Sequence, residues 1–125
     1  MATNSTIAVV DDDGAVREAL KGLLRSAGFR VELFSSAEEF LNSGQIEDIS
    51  CVVLDVRMPG MSGVELQERL NGSRVAIPII FMTAHGDASV RARALQGGAI
   101  DFLQKPFTDE ALLNALARGL GRPSP

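Results

Sequence analysis

Asp11, Asp12 and Asp13 follow the apolar run at residues 7–10 without a break. Two carboxylates about 5 Å apart, at an effective dielectric near 20, repel by about 3 kcal/mol, so such a cluster must spread into water, protonate in part or be neutralised by a cation. Other chemistry-bearing side chains end other apolar runs: Asp55 closes CVVLD, Thr83 and Ala84 follow IIFM, and Lys105 follows AIDFLQ and precedes Pro106. Hard carboxylate oxygens suit Mg²⁺, which keeps several waters and takes one or two protein carboxylates plus a phosphoryl oxygen. A lone carboxylate such as Asp55 can attack phosphorus and form an acyl phosphate. Thr83 can donate to one phosphoryl oxygen and Lys105 can pair with another, while the small Ala84 leaves room for the group to enter.

Each feature taken singly also has an ordinary structural reading. The aspartate run can be a solvated turn with a helix cap, and Asp55 can open a turn completed by Pro59-Gly60. Thr83 can be a strand-end hydroxyl and Lys105 a surface amine. Their joint occurrence at four of five strand ends favours a single site. His85 has no second histidine to join it as a metal ligand, and it reads as an exposed loop imidazole.

The elements that position these residues are legible from periodicity. Strand-like runs recur at 7–10, 31–34, 51–54, 77–82 and 100–103. Unbroken apolar runs mark strands covered on both faces. Between them, Val16, Ala19, Leu20, Leu23, Leu24 and Ala27 form a helical stripe within 14–27, stopped by Gly28 and capped by Asp13 or Gly14. Ser36 with Glu39, and Ser62 with Glu65, have capping-box spacing. Thr108 followed by Asp109 and Glu110 starts a last helix carrying Leu112, Leu113, Leu116 and Leu120. The segment 87–96 is the weakest, with only Val90 and Ala94 as a core pair before Gly97-Gly98, and is expected to be the least firmly packed helix. Alternating strands and helices predict an α/β fold, a (βα)5 doubly wound five-stranded parallel sheet with ligands beyond the carboxyl ends of its strands.

A chain of 125 residues with 46% hydrophobic content is sized for one domain with its own core. A net charge of −4 without a basic run argues against a positive face for nucleic acid or anionic membrane. The single cysteine, Cys51, cannot form an internal disulfide and reads as a small buried hydrophobe. The start MATNST lacks the features of a signal peptide and the apolar runs are too short to span a bilayer, so the expectation is a cytoplasmic protein with no membrane partner. Residues 1–120 are expected to be the domain, and 121–125 a linker or end leading to a further domain.

Together, VVDDDGAVREAL, VLDVRMPGMSGVEL, IIFMTAHGD and GAIDFLQKPF resemble the receiver domain of two-component response regulators, over residues 6–120. The motifs look closest to the FixJ-like branch, whose members usually carry a C-terminal helix-turn-helix DNA-binding domain. The resemblance implies a flavodoxin-like, CheY-like fold, and a regulatory phosphoacceptor that assists its own phosphorylation and dephosphorylation. It implies that Asp55 accepts phosphate from a histidine kinase. Asp12, Asp55 and the backbone carbonyl of Arg57 would hold Mg²⁺, and Asp11 would contact it through water. Thr83 would be the switch hydroxyl, with Ala84 beside it, Lys105 the phosphate-pairing ammonium and Phe102 the switch aromatic, with a cis peptide between Lys105 and Pro106. The side chains of Arg57 and His85 stand where the family tunes the lifetime of the phosphoryl group. The output would be a homodimer formed on phosphorylation through the fourth helix and fifth strand, acting on DNA only through the further domain.

Three other readings compete. A phosphatase resembling the haloacid dehalogenase-like enzymes needs a second acid two positions after the nucleophile, where this chain has Arg57. A flavodoxin-like FMN module needs a Ser/Thr/Gly-rich phosphate loop after the first strand and an aromatic to stack, and the chain has neither Trp nor Tyr. A stand-alone receiver acting through protein contacts differs only in having no output domain.

Overall fold

Apolar runs and capped amphipathic segments alternate through the described residues, 5–86 and 88–121, of the computed structural model. In chain order they are β1 (Thr6–Val10), α1 (Gly14–Ser26), β2 (Arg30–Phe34), α2 (Ala37–Leu41), a 3₁₀ turn (Ile46–Asp48), β3 (Cys51–Asp55), α3 (Gly63–Gly72), β4 (Ile79–Thr83), α4 (Ala88–Gln96), β5 (Asp101–Gln104) and α5 (Asp109–Gly119). All strand pairs are parallel and the sheet order is β2-β1-β3-β4-β5, as expected of a doubly wound (βα)5 fold. The expected start of the fourth helix at Asp87, most of the expected linker (122–125) and residues 1–4 lie outside the described residues.

Alternation along the central strands divides the core into two layers. Ala8, Val10, Val52, Leu54 and Phe81 face Phe40, Val64, Leu66, Leu70 and Ala94 on the α2–α3–α4 side. Ile7, Val9, Val53, Ile80 and Met82 face Leu20, Leu24, Leu112 and Leu116 on the α1–α5 side. β1, β3 and β4 carry no exposed residue, whereas the edge strands are wetter: β2 alternates and β5 has no fully buried position. Because full burial of a Leu or Phe side chain contributes about 1.5–3 kcal/mol, the three central strands hold the frame on which the site is built.

The helix starts follow the sequence signals with one difference. Asp13, not Gly14, caps α1 by accepting from the Ala15 and Val16 amides. Thr108 accepts from the Ala111 amide at 3.0 Å, and Ser62 and Glu65 form a reciprocal capping box. At α2, Ser36 accepts from the Glu39 amide, but the Glu39 carboxylate takes the Ser35 amide at 2.8 Å, one residue before the cap. This helix is only five residues long. Of the expected stripe, Ala19 is exposed on α1, and Ala27 is the exposed residue just past the helix, which ends at Ser26 and not at 27. β4 begins at Ile79, after Pro78, which has no amide to donate. α4 contributes a single buried residue, Ala94, fewer than any other helix, consistent with its weak apolar pattern.

Candidate functional site

Strand order reverses at β1, whose neighbours β2 and β3 lie on opposite sides, so the crevice beyond β1 and β3 is where a doubly wound sheet binds ligands. Asp11 follows the last residue of β1, and Asp55 is the last residue of β3. One carboxylate oxygen from each of Asp11, Asp12 and Asp55 lies within 4.8 Å of the others. Asp11 and Asp55 are 1% and 7% exposed, while Asp12 faces solvent, so the cluster runs from the sheet edge to the surface.

Asp11 is held from several directions. Its carboxylate accepts from the Asp13 amide at 2.9 Å and from Lys105 Nζ at 3.0 Å, and its backbone carbonyl accepts from the Arg17 guanidinium at 2.8 Å. Lys105, just after β5, also lies 3.7 Å from Asp55 Oδ1. Asp55 is nevertheless hard to ionise: burial first, then the negative charge of Asp11, push its carboxyl up to about 6, against the partial relief from Lys105. One ammonium does not balance three carboxylates. The hard oxygen donors at this separation fit a divalent cation of the Mg²⁺ class.

The backbone beneath Asp55 is closely fitted. Val56 donates to the Met82 carbonyl at 3.0 Å and accepts from the Gly63 amide at 2.9 Å, closing the β3–α3 loop that contains Arg57. A Cβ on Gly63 would stand 2.3 Å from the Asp55 carbonyl oxygen, so only glycine permits α3 to start so near the strand end. Glu38, on α2, accepts from the Met61 amide at 3.1 Å and straps the outer part of the same loop.

Thr83 is the last residue of β4 and 2% exposed. Its hydroxyl donates to the His85 carbonyl at 3.0 Å and accepts from the His85 amide at 3.1 Å, so it is held by its own loop and not by the acids. Ala84 and His85 are exposed. Phe102 is half-buried on β5 on the α3–α4 side, its ring 6.2 Å from that of Phe81. The Lys105–Pro106 peptide is cis. Asp11, Asp12, Asp55 and Lys105 thus meet directly, while Thr83, Ala84 and Phe102 lie along the β4–β5 flank and Arg57 is exposed on the loop beyond Asp55. Arg17, Glu38 and Gly63, which fix that geometry, carry no local sequence signal for these contacts, since each acts through backbone brought near by folding.

A family model described as the response regulator receiver domain matches residues 7–117. Response regulator protein TmoT of Ectopseudomonas mendocina is 51% identical over 117 residues, which cover 93% of this chain and 53% of TmoT. The solved structure of the response regulator StyR has a TM-score of 0.88 at 55% identity, covering 95% of this chain and 60% of that one. FixJ-N gives a TM-score of 0.86 at 38% identity over 97% of both chains. The chain spans about half the length of the first curated relatives it matches. Among the described residues no helix is long and apolar enough to cross a membrane. With the family model covering nearly the whole sheet and its acidic crevice, the chain belongs to the response regulator receiver domain family.

Proposed function

We propose that Asp55 is the phosphoacceptor of this receiver domain and that a histidine kinase is the donor. The observation that carries the reading is the crevice at the ends of β1, β3 and β5, where Asp55 stands buried beside two further acids and one lysine. An Asp55 carboxylate oxygen forms the new O–P bond as the P–N bond to the donor imidazole breaks, and the electron pair of that bond stays on the imidazole, which takes up a proton. Asp12, Asp55 and the Arg57 backbone carbonyl would hold Mg²⁺, with Asp11 contacting it through water. The ion supplies charge neutralisation for the phosphoryl oxygens.

Lys105 is poised to leave Asp55 for a phosphoryl oxygen, since its closer partner is Asp11. Thr83 reaches the phosphoryl group by exchanging its bonds to His85 for one to a phosphoryl oxygen, and the small Ala84 keeps the approach open. The rearranged β4–α4 loop then acts on Phe102 and on the α4–β5 surface, where a homodimer forms. Residues 1–120 constitute the domain, and chain beyond it leads to a DNA-binding output domain in the full protein, in keeping with relatives about twice this length. The protein works in the cytoplasm, and the domain is regulatory, its only chemistry being to assist gain and loss of its own phosphoryl group.

Intact mass after incubation with acetyl phosphate tests this reading. One phosphoryl adduct that requires Mg²⁺ and is missing from Asp55→Asn is the expected result. A folded wild-type chain that binds Mg²⁺ and gains no adduct overturns it.

A further inference from the structure

Four polar or charged side chains are buried among the described residues: Asp11 and Asp55 in the crevice, Thr83 on its β4 flank, and Gln67, 2% exposed, on α3 about one turn beyond Gly63. Gln67 interrupts the inward stripe of α3, between Val64 and Leu70, at a position where an apolar residue would pack at no desolvation cost. Its Nε2 donates to the Ala94 carbonyl of α4 at 2.8 Å, a buried bond between two helices. One turn further along α3, Asn71 Nδ2 donates to the Gly97 carbonyl at 3.0 Å, and Glu68 pairs with Arg93 at the surface at 3.1 Å. Gly97 permits this approach: a Cβ there would stand 2.7–2.8 Å from three atoms of the Gln67 amide.

All of these bonds grip the last turn of α4 and the residues after it. The opposite end of the helix follows the loop that begins after Thr83, and there Ala88 and Ser89 are exposed and Val90 is half-buried. α4 is therefore tied to α3 at its carboxyl end by two side-chain amides, whereas nearer the crevice Val90 packs against the core as a partly buried apolar residue. A nine-residue helix is about 13 Å long, so a pivot at one end converts a small push at the other into a tilt.

We infer that Gln67 and Asn71 form a fulcrum for α4, positioning residues that confine any movement started at Thr83 to the amino-terminal end of the helix. The inference deepens the phosphoacceptor reading and rests on it for the origin of the push, but the anchor itself is present without phosphorylation. The Ala94 carbonyl also accepts from the Ala99 amide at 3.0 Å, so removing the Gln67 donor does not leave it unpaired.

Residue-resolved amide exchange by NMR tests the anchor on the unphosphorylated chain. Gln67→Met, close in shape but without the donor, is expected to speed exchange at Gly97, Gly98 and Ala99 about tenfold while β1 and β3 are unchanged. Asn71→Ala, at an exposed position, is expected to act in the same place a few-fold. No acceleration in either variant, or an equal acceleration in β1 and β3, overturns the fulcrum. A second arm uses acetyl phosphate and Mg²⁺, with the adduct verified by mass. In the wild type, chemical-shift changes should be larger across residues 89–92 than across 95–98, and in Gln67→Met they should extend through both. Equal changes at both ends of wild-type α4 overturn the fulcrum, whereas absence of an adduct overturns the phosphoacceptor reading and leaves the first arm to decide the anchor.

Discussion

Replacing Asp55 by Asn should stabilise the metal-free protein at neutral pH, although it removes half of an ion pair. Burial and Asp11 raise the Asp55 carboxyl from 3.8 to about 6, and Lys105 relieves only part of this. Moving an acid that far corresponds to about 3 kcal/mol between its two protonation states, and water at the open rim leaves about 1–2 kcal/mol of it effective. Because the folded-state value lies above the unfolded one, the native chain holds more protons between pH 4 and 6, and stability falls as pH rises through that window. Asn keeps the shape of the side chain without the charge, and Lys105 retains its 3.0 Å partner Asp11. Urea denaturation in EDTA should therefore find Asp55→Asn more stable by about 1–2 kcal/mol at pH 7.5, with the difference vanishing toward pH 4. Mg²⁺ at ten times its dissociation constant should add about 1.4 kcal/mol to the wild type and less to the variant. An Asn variant that is less stable at pH 7.5, with an unchanged pH slope, would refute the claim that Asp55 is held against its ionisation.

Three further outcomes follow from the local geometry. Gly63→Ala forces a methyl toward the Asp55 carbonyl and should cost about 1–3 kcal/mol in denaturation, with a loss of acetyl phosphate reactivity beyond the loss of folded protein. Glu38→Ala removes the strap on Met61 and should weaken Mg²⁺ binding a few-fold by titration while costing under about 1 kcal/mol of stability, because the bond is exposed. Burial pushes the Cys51 thiol up to about 12, so an aromatic disulfide reagent at pH 8 should label the chain only as fast as it unfolds.

The sheet and its helices were legible because their causes are local. A strand covered on both faces must be apolar throughout, and the runs containing residues 7–10 and 51–54 have no other economical explanation; a helix start needs an acceptor for its free amides, and Asp13, Ser62 and Thr108 provide one. The boundaries moved where backbone chemistry outweighed apolar pattern, as at Pro78 ahead of β4. The reciprocal box at Ser36 failed because Glu39 found a better-placed amide one residue earlier, in a helix too short to fix its own first turn. The acidic crevice was legible for a different reason: parallel strands put their carboxyl ends on one rim, so side chains far apart in sequence could be grouped by strand position alone.

What stayed hidden is the layer of polar bonds between elements. Arg17 on the Asp11 carbonyl, Glu38 on the Met61 amide and Gln67 on the Ala94 carbonyl each join a side chain to a backbone group that every residue possesses. No residue type marks the partner, so no pairing of types can reveal it. Gln67 carried the one usable hint, a polar residue inside an apolar stripe, and that hint says only that a partner exists. This layer sets how the same frame behaves when the crevice changes charge: Arg17 and Glu38 hold the loops beside the acids still, and Gln67 holds the far end of the one helix that the core holds least. The fold places the acids, and these few guanidinium, carboxylate and amide contacts decide which parts of it are free to answer them.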